Sequence, residues 1–72
     1  MKLNRNKLII LQAEKQMTVK DISQTAGVSY ETIRKGYSQE ISPVSIGKIA
    51  KALDVHVKDI IILEEETASS SL

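Results

Sequence analysis

The sequence predicts an all-α fold, a compact bundle of five short helices. No stretch of the 72 residues shows the polar–apolar alternation of a strand, whereas apolar residues recur at helical spacing. One helix-start pattern occurs four times. An apolar residue directly precedes the N-cap, and a second apolar residue lies five positions after the first, at the fourth helical position. The four apolar pairs are Met17 and Ile22, Val28 and Ile33, Ile41 and Ile46, and Val55 and Ile60.

Capping residues set the helix boundaries. Thr18, Ser29 and Ser42 each offer a side-chain oxygen to the first backbone N–H groups of a helix. Pro43 suits a first helical position, where its missing N–H costs nothing, and His56 is a poor cap by comparison. These signals predict helices over residues 4–15, 19–26, 30–37, 43–53 and 57–64.

The links between these helices are short, so we expect each helix to give one apolar stripe to a shared core. That core is aliphatic, because the chain has no Phe or Trp. We expect one domain over residues 1–66 and a disordered tail over residues 67–72, which are small and mostly polar. The predicted core consists of Leu8, Leu11, Val19, Ile22, Ala26, Val28, Ile33, Ile46, Ile49, Ala50, Leu53, Val55 and Ile60.

Composition excludes several functional classes. The chain has no cysteine and one histidine, His56, so no metal site is expected. No apolar run approaches the roughly 20 residues of a transmembrane helix, and the N-terminus lacks a signal-peptide layout, so we expect a cytoplasmic protein without a membrane partner. The sequence holds no nucleophile–histidine pair, no carboxylate pair with a base and no Gly-rich phosphate loop. We therefore expect neither an enzyme nor a cofactor.

The net charge of +1 conceals an uneven distribution of charge. All ten Lys and Arg lie before residue 59, whereas three of the nine acids lie at residues 64–66. The first 63 residues therefore carry four excess positive charges. An excess of this kind suits a polyanionic partner such as nucleic acid.

The turn at residues 26–29 carries the main functional signal. Gly27 ends one predicted helix, because glycine enters the left-handed region that often follows a helix C-terminus. Ser29 caps the next helix two residues later. Two short helices joined by a three-residue turn containing Gly form a helix-turn-helix, whose second helix enters the DNA major groove. A helical hairpin in a small bundle has the same local pattern, so the alternative is purely structural.

Two segments of the chain match a known family. Residues 22–33 contain Ala-Gly-Val-Ser at the turn, followed after two residues by Thr-Ile. Residues 48–55, Lys-Ile-Ala-Lys-Ala-Leu-Asp-Val, are close to the end of that family's fourth helix. In these segments and in helix spacing the chain resembles the lambda-repressor-like, Cro-type (XRE family) helix-turn-helix domains of phage repressors and bacterial regulators. The resemblance covers residues 5–63. It implies a five-helix domain that binds operator DNA, commonly as a dimer.

Two positions depart from that family's pattern. Many members have Gln at the start of the second helix, where it helps hold a phosphate, and this chain has Val19. Many have a Glu two residues before a Gly after the third helix, but here Tyr37 and Gln39 occupy those positions and glycine comes early, at Gly36. We expect the third helix to end at Lys35 or to weaken at Gly36.

The first turns of the helix over residues 30–37 supply the candidates for reading bases. Lys35 suits guanine O6 and N7, and Glu31 suits cytosine N4. Tyr30 suits either a hydrogen bond to a base or a phosphate or contact of its ring with a thymine methyl. Glu31 is equally well explained as an acid that the helix dipole favours. The base-reading candidates are Tyr30, Glu31, Thr32 and Lys35. The phosphate-contacting candidates, most of them at helix N-termini, are Thr18, Lys20, Ser29, Arg34, Ser42 and Ser45.

Apolar residues surround almost the whole of the predicted fifth helix, so part of its surface must meet a neighbour. We expect a homodimer interface there, formed by Val57, Ile61, Ile62 and Leu63, although a deeply buried terminal helix has the same pattern. The overall prediction is a transcriptional regulator that binds an operator as a homodimer on an inverted repeat. The alternative is an antitoxin or adaptor that binds a regulatory partner protein through residues 57–64.

Overall fold

The computed structural model describes residues 1–63, and four α-helices form the domain. Helix α2 packs against α3 and α4, and a single 3₁₀ turn packs against α4. The all-α bundle is confirmed for the described residues, although the number of helices is not five. No helix within residues 1–63 is long and apolar enough to cross a membrane. The elements are α1 (Arg5–Lys15), α2 (Val19–Ala26), α3 (Tyr30–Gly36), α4 (Pro43–Leu53) and the 3₁₀ turn η1 (Val57–Asp59).

Hydroxyl caps begin three of the helices, as the sequence predicts. Thr18, Ser29 and Ser42 each accept a hydrogen bond at 3.1 Å from the backbone N–H three residues later. At α2 the Asp21 carboxylate also accepts from the Thr18 N–H at 2.9 Å, which completes a capping box. Asn4 caps α1, so that helix begins at Arg5 rather than at residue 4.

Three helices end in a residue with left-handed backbone geometry. The φ angles are 55° at Gln16 after α1, 71° at Gly27 after α2 and 57° at Asp54 after α4. In each case the backbone N–H of that residue donates to a carbonyl of the preceding helical turn. Glycine adopts this geometry without cost, whereas a glutamine side chain crowds the following carbonyl.

The core is aliphatic, and most of the predicted members are fully buried. Leu11, Val19, Ala26 and Val55 are half-buried at its margin. Sequence reasoning missed Leu3, which is fully buried at 0% exposure, and did not place Ile61 in the core. The buried apolar residues are Leu3, Leu8, Ile22, Val28, Ile33, Ile46, Ile49, Ala50, Leu53, Ile60 and Ile61.

The prediction of a fifth helix is wrong for its described part, residues 57–63. The chain makes one 3₁₀ turn and leaves helical geometry at Ile60, where φ is −125° and ψ is −2°. Ile61 then forms an antiparallel bridge with Leu3. Ile60, Ile61 and Ile62 are consecutive β-branched residues, which favour an extended backbone over a helix. Residue 64 and the predicted tail over residues 67–72 lie outside the described residues.

Residues 1–4, which we call the N-terminal strap, lie between two other segments of backbone. On one side are the end of α3 and the loop after it, and on the other are residues 60–62. The strap therefore connects the end of α3 to the last described segment. On the α3 side, the Leu3 N–H donates to the Gly36 carbonyl at 2.7 Å, and the Ile41 N–H donates to the Met1 carbonyl at 2.8 Å. On the other side, the Asn4 N–H donates to the Ile60 carbonyl at 2.8 Å, and the Ile62 N–H donates to the Lys2 carbonyl at 3.0 Å.

Candidate nucleic-acid interface

The turn between α2 and α3 is fixed by hydrogen bonds centred on Ser23. Its carbonyl accepts from the N–H groups of Gly27, at 2.9 Å, and Val28, at 3.2 Å. Its hydroxyl donates to the Val28 carbonyl at 2.6 Å. Val28 itself is only 7% exposed, so the middle of the turn is anchored in the core. Sequence reasoning gave Ser23 no role, because a serine within a helix carries no signal that it bonds to a later turn.

Helix α3 presents a polar surface opposite its buried side. Ile33 and Gly36 are buried, whereas Tyr30, Glu31 and Lys35 are exposed. Three of the four predicted base-reading residues therefore lie together on the exposed surface of α3. Thr32 is half-buried, and its Oγ1 lies 2.7 Å from the Ser29 Oγ. It belongs to the helix cap as well as to the edge of this surface.

Arg34 lies on the same exposed surface as the predicted base-reading residues. Its guanidinium carbon is 5.9 Å from the centroid of the Tyr30 ring, one helical turn earlier. Within residues 1–63 the Lys35 ammonium forms no ion pair. The exposed surface of α3 thus offers an aromatic ring at its start and a guanidinium and an ammonium about one turn later.

The N-terminus of α2 is already occupied by an acid. Hydrogen bonds from the backbone and side chain of Thr18 lower the pKa of Asp21 below 3.8, and the Lys20 charge adds to that effect. Asp21 is therefore a carboxylate at neutral pH and competes with a phosphate for this helix end. The predicted phosphate contacts at Thr18 and Lys20 lie beside this negative charge.

The N-terminus of α4 is more favourable to an anion. Its first turn contains no acid. Ser42 is exposed, and its hydroxyl donates to the Ser45 Oγ at 3.0 Å, which leaves the Ser45 hydroxyl proton available to another acceptor. The free Ser45 hydroxyl proton and the positive end of the helix dipole together suit a phosphate.

Arg5 adds positive charge near the end of α3. Its guanidinium carbon lies 5.8 Å from the centroid of the Tyr37 ring. Burial raises the pKa of Tyr37 above 10.0, although the Arg5 charge opposes that shift. The phenol is therefore neutral at pH 7 and can donate a hydrogen bond.

The four predicted dimer residues do not form a common exposed surface. Ile61 is only 6% exposed because it packs in the core of its own chain, and Val57 and Leu63 are half-buried. Ile62 is 44% exposed, which makes it the most exposed of the four predicted dimer residues. No cluster of three His, Asp or Glu within residues 1–63 is arranged to hold a metal ion.

A family model described as the Cro/C1-type helix-turn-helix DNA-binding domain matches residues 7–66. The chain belongs to this family. Among solved structures, the chain is similar to the restriction-modification controller protein C.AhdI from Aeromonas hydrophila, with 22% sequence identity and a TM-score of 0.65. That match covers 74% of this chain and 83% of the other. No curated protein matches the sequence.

Membership of the Cro/C1-type family identifies the protein as a DNA-binding domain and confirms the resemblance noted in the sequence. The structural similarity to C.AhdI supports the helical fold described above. In a helix-turn-helix the second helix is the one that contacts base edges, and α3 holds that position after the turn anchored by Ser23.

Proposed function

We propose that the protein is a transcriptional regulator that reads an operator with α3 in the major groove and binds as a homodimer to an inverted repeat. The observation that carries this proposal is the arrangement of α3. Ile33 and Gly36 fix one side of the helix in the core, and Tyr30, Arg34 and Lys35 are exposed on the other. A recognition helix needs this combination of a buried side and a polar, cationic surface.

Each exposed side chain of α3 has a role that its chemistry suits. Lys35 donates to guanine O6 and N7, and Glu31 accepts from cytosine N4. The Tyr30 ring lies against a thymine methyl, and Arg34 reaches from that ring to a phosphate. Thr32, which shares the Ser29 cap, reads at the edge of the same surface.

Phosphate contacts position the domain on the duplex. Ser42 and Ser45 at the N-terminus of α4 are the favoured pair, because no acid lies in that first turn. Ser29 adds a contact at the start of α3. Thr18 and Lys20 contribute less, since the Asp21 carboxylate lies at the same helix end.

A second copy supplies the second recognition helix. Two-fold symmetry places the two α3 helices about one DNA turn, ~34 Å, apart on an inverted repeat. Ile62 is the best candidate for the contact between copies, because it is the most exposed aliphatic residue in the last described segment. The adaptor or antitoxin alternative has less support, because the family model that matches residues 7–66 describes a DNA-binding domain. The absence of a helix from residues 57–63 bears on both readings, since each expected its protein contact there.

Selection of duplexes from a random DNA library by the purified protein, at two salt concentrations, tests this function. We expect enrichment of an inverted repeat with half-site centres about 10 base pairs apart. Salt-dependent binding without enrichment would mean phosphate contacts alone and would contradict sequence-specific reading. Failure to bind at low salt would contradict DNA binding by the isolated chain.

A further inference from the structure

We propose that Leu3 is a positioning residue for the recognition helix: the N-terminal strap inserts its side chain where Gly36 has none and so fixes the end of α3. This inference rests on the proposed function, since it concerns the helix that reads DNA. It goes beyond the family assignment, because the match to the Cro/C1-type domain begins at residue 7 and the strap is residues 1–4.

Leu3 and Gly36 fit each other closely. A Cβ atom added at Gly36 would lie 2.8 Å from Leu3 Cδ1 and 3.1 Å from Ile41 Cδ1. Separations this short require a neighbour to move. The Leu3 side chain is 0% exposed, so it has no route to solvent, and its displacement would disturb the core. The early glycine in α3 is thus the place where another side chain enters.

The main chain reinforces this contact. Leu3 N–H donates at 2.7 Å to the carbonyl of Gly36, the last residue of α3. A carbonyl at that position lacks a partner within its helix, so the strap acts as a cap for α3. Ile41 N–H donates to the Met1 carbonyl at 2.8 Å, which holds the loop after α3 to the same strap. The opposite edge of the strap is bonded to Ile60, so the strap is itself fixed.

The position of α3 therefore depends on both of its ends. The helix has only seven residues, fewer than two full turns, and such a helix has little stability of its own. The anchored turn holds its start, and the strap holds its end. Arg34 and Lys35 immediately precede Gly36, so a shift at Gly36 moves both cationic side chains relative to a bound duplex. Recognition contacts lose strength when their supporting residues allow such shifts.

A double-mutant cycle tests the inference. Leu3→Ala, Gly36→Ala and the double variant are compared for binding to the selected operator and to an unrelated duplex, at a temperature where circular dichroism shows each to be folded. We expect each single substitution to weaken operator binding by at least about fivefold, the weakest effect of losing one bidentate base contact. Binding to the unrelated duplex, which depends on phosphates, should change less.

In the double variant the added methyl group at position 36 enters the space that the truncated Leu3 vacates. We therefore expect the double variant to lose less affinity than the two single losses combined, which is the signature of a direct coupling. Leu3→Val, a smaller truncation, replaces Leu3→Ala in the cycle if the alanine variant does not fold.

Two control variants separate positioning from stability. Gly47→Ala makes the same substitution within α4, where the added Cβ meets nothing within 4 Å. Leu53→Ala truncates an equally buried leucine at the far end of α4. We expect both to change the melting temperature while the folded proteins keep wild-type operator affinity.

Retention of wild-type operator affinity by folded Leu3→Ala, with only its melting temperature lowered, would overturn the inference and leave the proposed function intact. Additive losses in the double variant would also overturn it. If the wild type itself enriches no operator, the proposed function fails and this inference fails with it. If the wild type enriches an operator and the variants keep its affinity, only the inference fails. The two failures can therefore be told apart.

Discussion

The Arg34 guanidinium lies 5.9 Å from the centroid of the Tyr30 ring on the exposed surface of α3. The two residues are one helical turn apart, so the contact follows from helix geometry and keeps both side chains on one side of the helix. A cation over an aromatic face is stabilised by the ring's charge distribution. The pair therefore presents an apolar ring and a positive charge together.

Truncation of the Tyr30 ring should weaken operator binding. We expect Tyr30→Ala to cost about 1–2 kcal/mol, because both the ring contact and the support for Arg34 are lost. Tyr30→Phe keeps the ring and should retain most of the affinity. Fluorescence anisotropy titrations with the selected duplex measure both. An equal loss in the two variants would assign the recognition to the phenol hydroxyl instead.

Replacement of Lys35 by Ala should relax specificity at one base pair. The ammonium is exposed and forms no ion pair within residues 1–63, so it is available to guanine. Repeating the library selection with Lys35→Ala shows which operator position loses its preference. Lys51→Ala removes the same charge from the exposed side of α4, and we expect it to keep the operator preference. The other outcome is that Lys35→Ala weakens binding to all duplexes equally. If the slope of log binding constant against log salt concentration also falls in magnitude by about 0.9, Lys35 is a phosphate contact.

A charge at Ile62 should separate the dimer on DNA. Ile62 is 44% exposed, so Ile62→Glu leaves the core of the monomer undisturbed and places a carboxylate in the proposed contact. Sedimentation velocity with the operator should then show one bound protomer where the wild type shows two. Ile10→Glu is the matched control, because Ile10 is 56% exposed on α1. Loss of the dimer in the control alone would move the interface to α1.

Signals that act over a few residues made most of the fold predictable. The hydroxyl caps at Thr18, Ser29 and Ser42 bond to an N–H three residues away, and Gly27 occupies the left-handed position after α2. Helical periodicity around Ile33 placed the candidate DNA-reading residues on the opposite surface of α3. Such signals are readable in sequence because the interacting groups lie within one helical turn.

The strap and the last described segment were not predictable in the same way. Leu3 and Ile61 pair across almost the whole described chain, and a single bridge leaves no periodic pattern. The helix-start pair Val55 and Ile60 suggested a helix over residues 57–64, but for the described residues tertiary pairing with the strap supports the extended form. Gly36 looked like a weak point in α3 because its partner, Leu3, is distant in sequence. The hydrogen bond from the Ser23 hydroxyl to Val28 left no signal either.

Glycine at position 16 should stabilise the domain. Gln16 has a φ of 55°, a geometry that costs an ordinary L-residue about 1–2 kcal/mol, so Gln16→Gly should raise the free energy of unfolding by about 0.5–1 kcal/mol. Gln24→Gly is the matched control, because Gln24 lies within α2, where glycine should cost about 0.5–1 kcal/mol. Urea denaturation measures both. Destabilisation by Gln16→Gly would show that the glutamine side chain contributes more than its backbone geometry costs.

The capping box of α2 should make the stability of the domain depend on pH. Hydrogen bonds from Thr18 hold the pKa of Asp21 below its ordinary value of 3.8. Because the folded pKa is the lower one, the carboxylate's contribution is fully present above the unfolded pKa and is lost as pH falls through the folded pKa. We therefore expect the wild type to unfold at a higher urea concentration than Asp21→Asn at about pH 6, and the difference to diminish below about pH 4. Glu14→Gln, which removes an exposed acid from α1, controls for the change in net charge. A difference between wild type and Asp21→Asn that stays constant from neutral to acid pH would show that the Asp21 charge is not what stabilises this helix end.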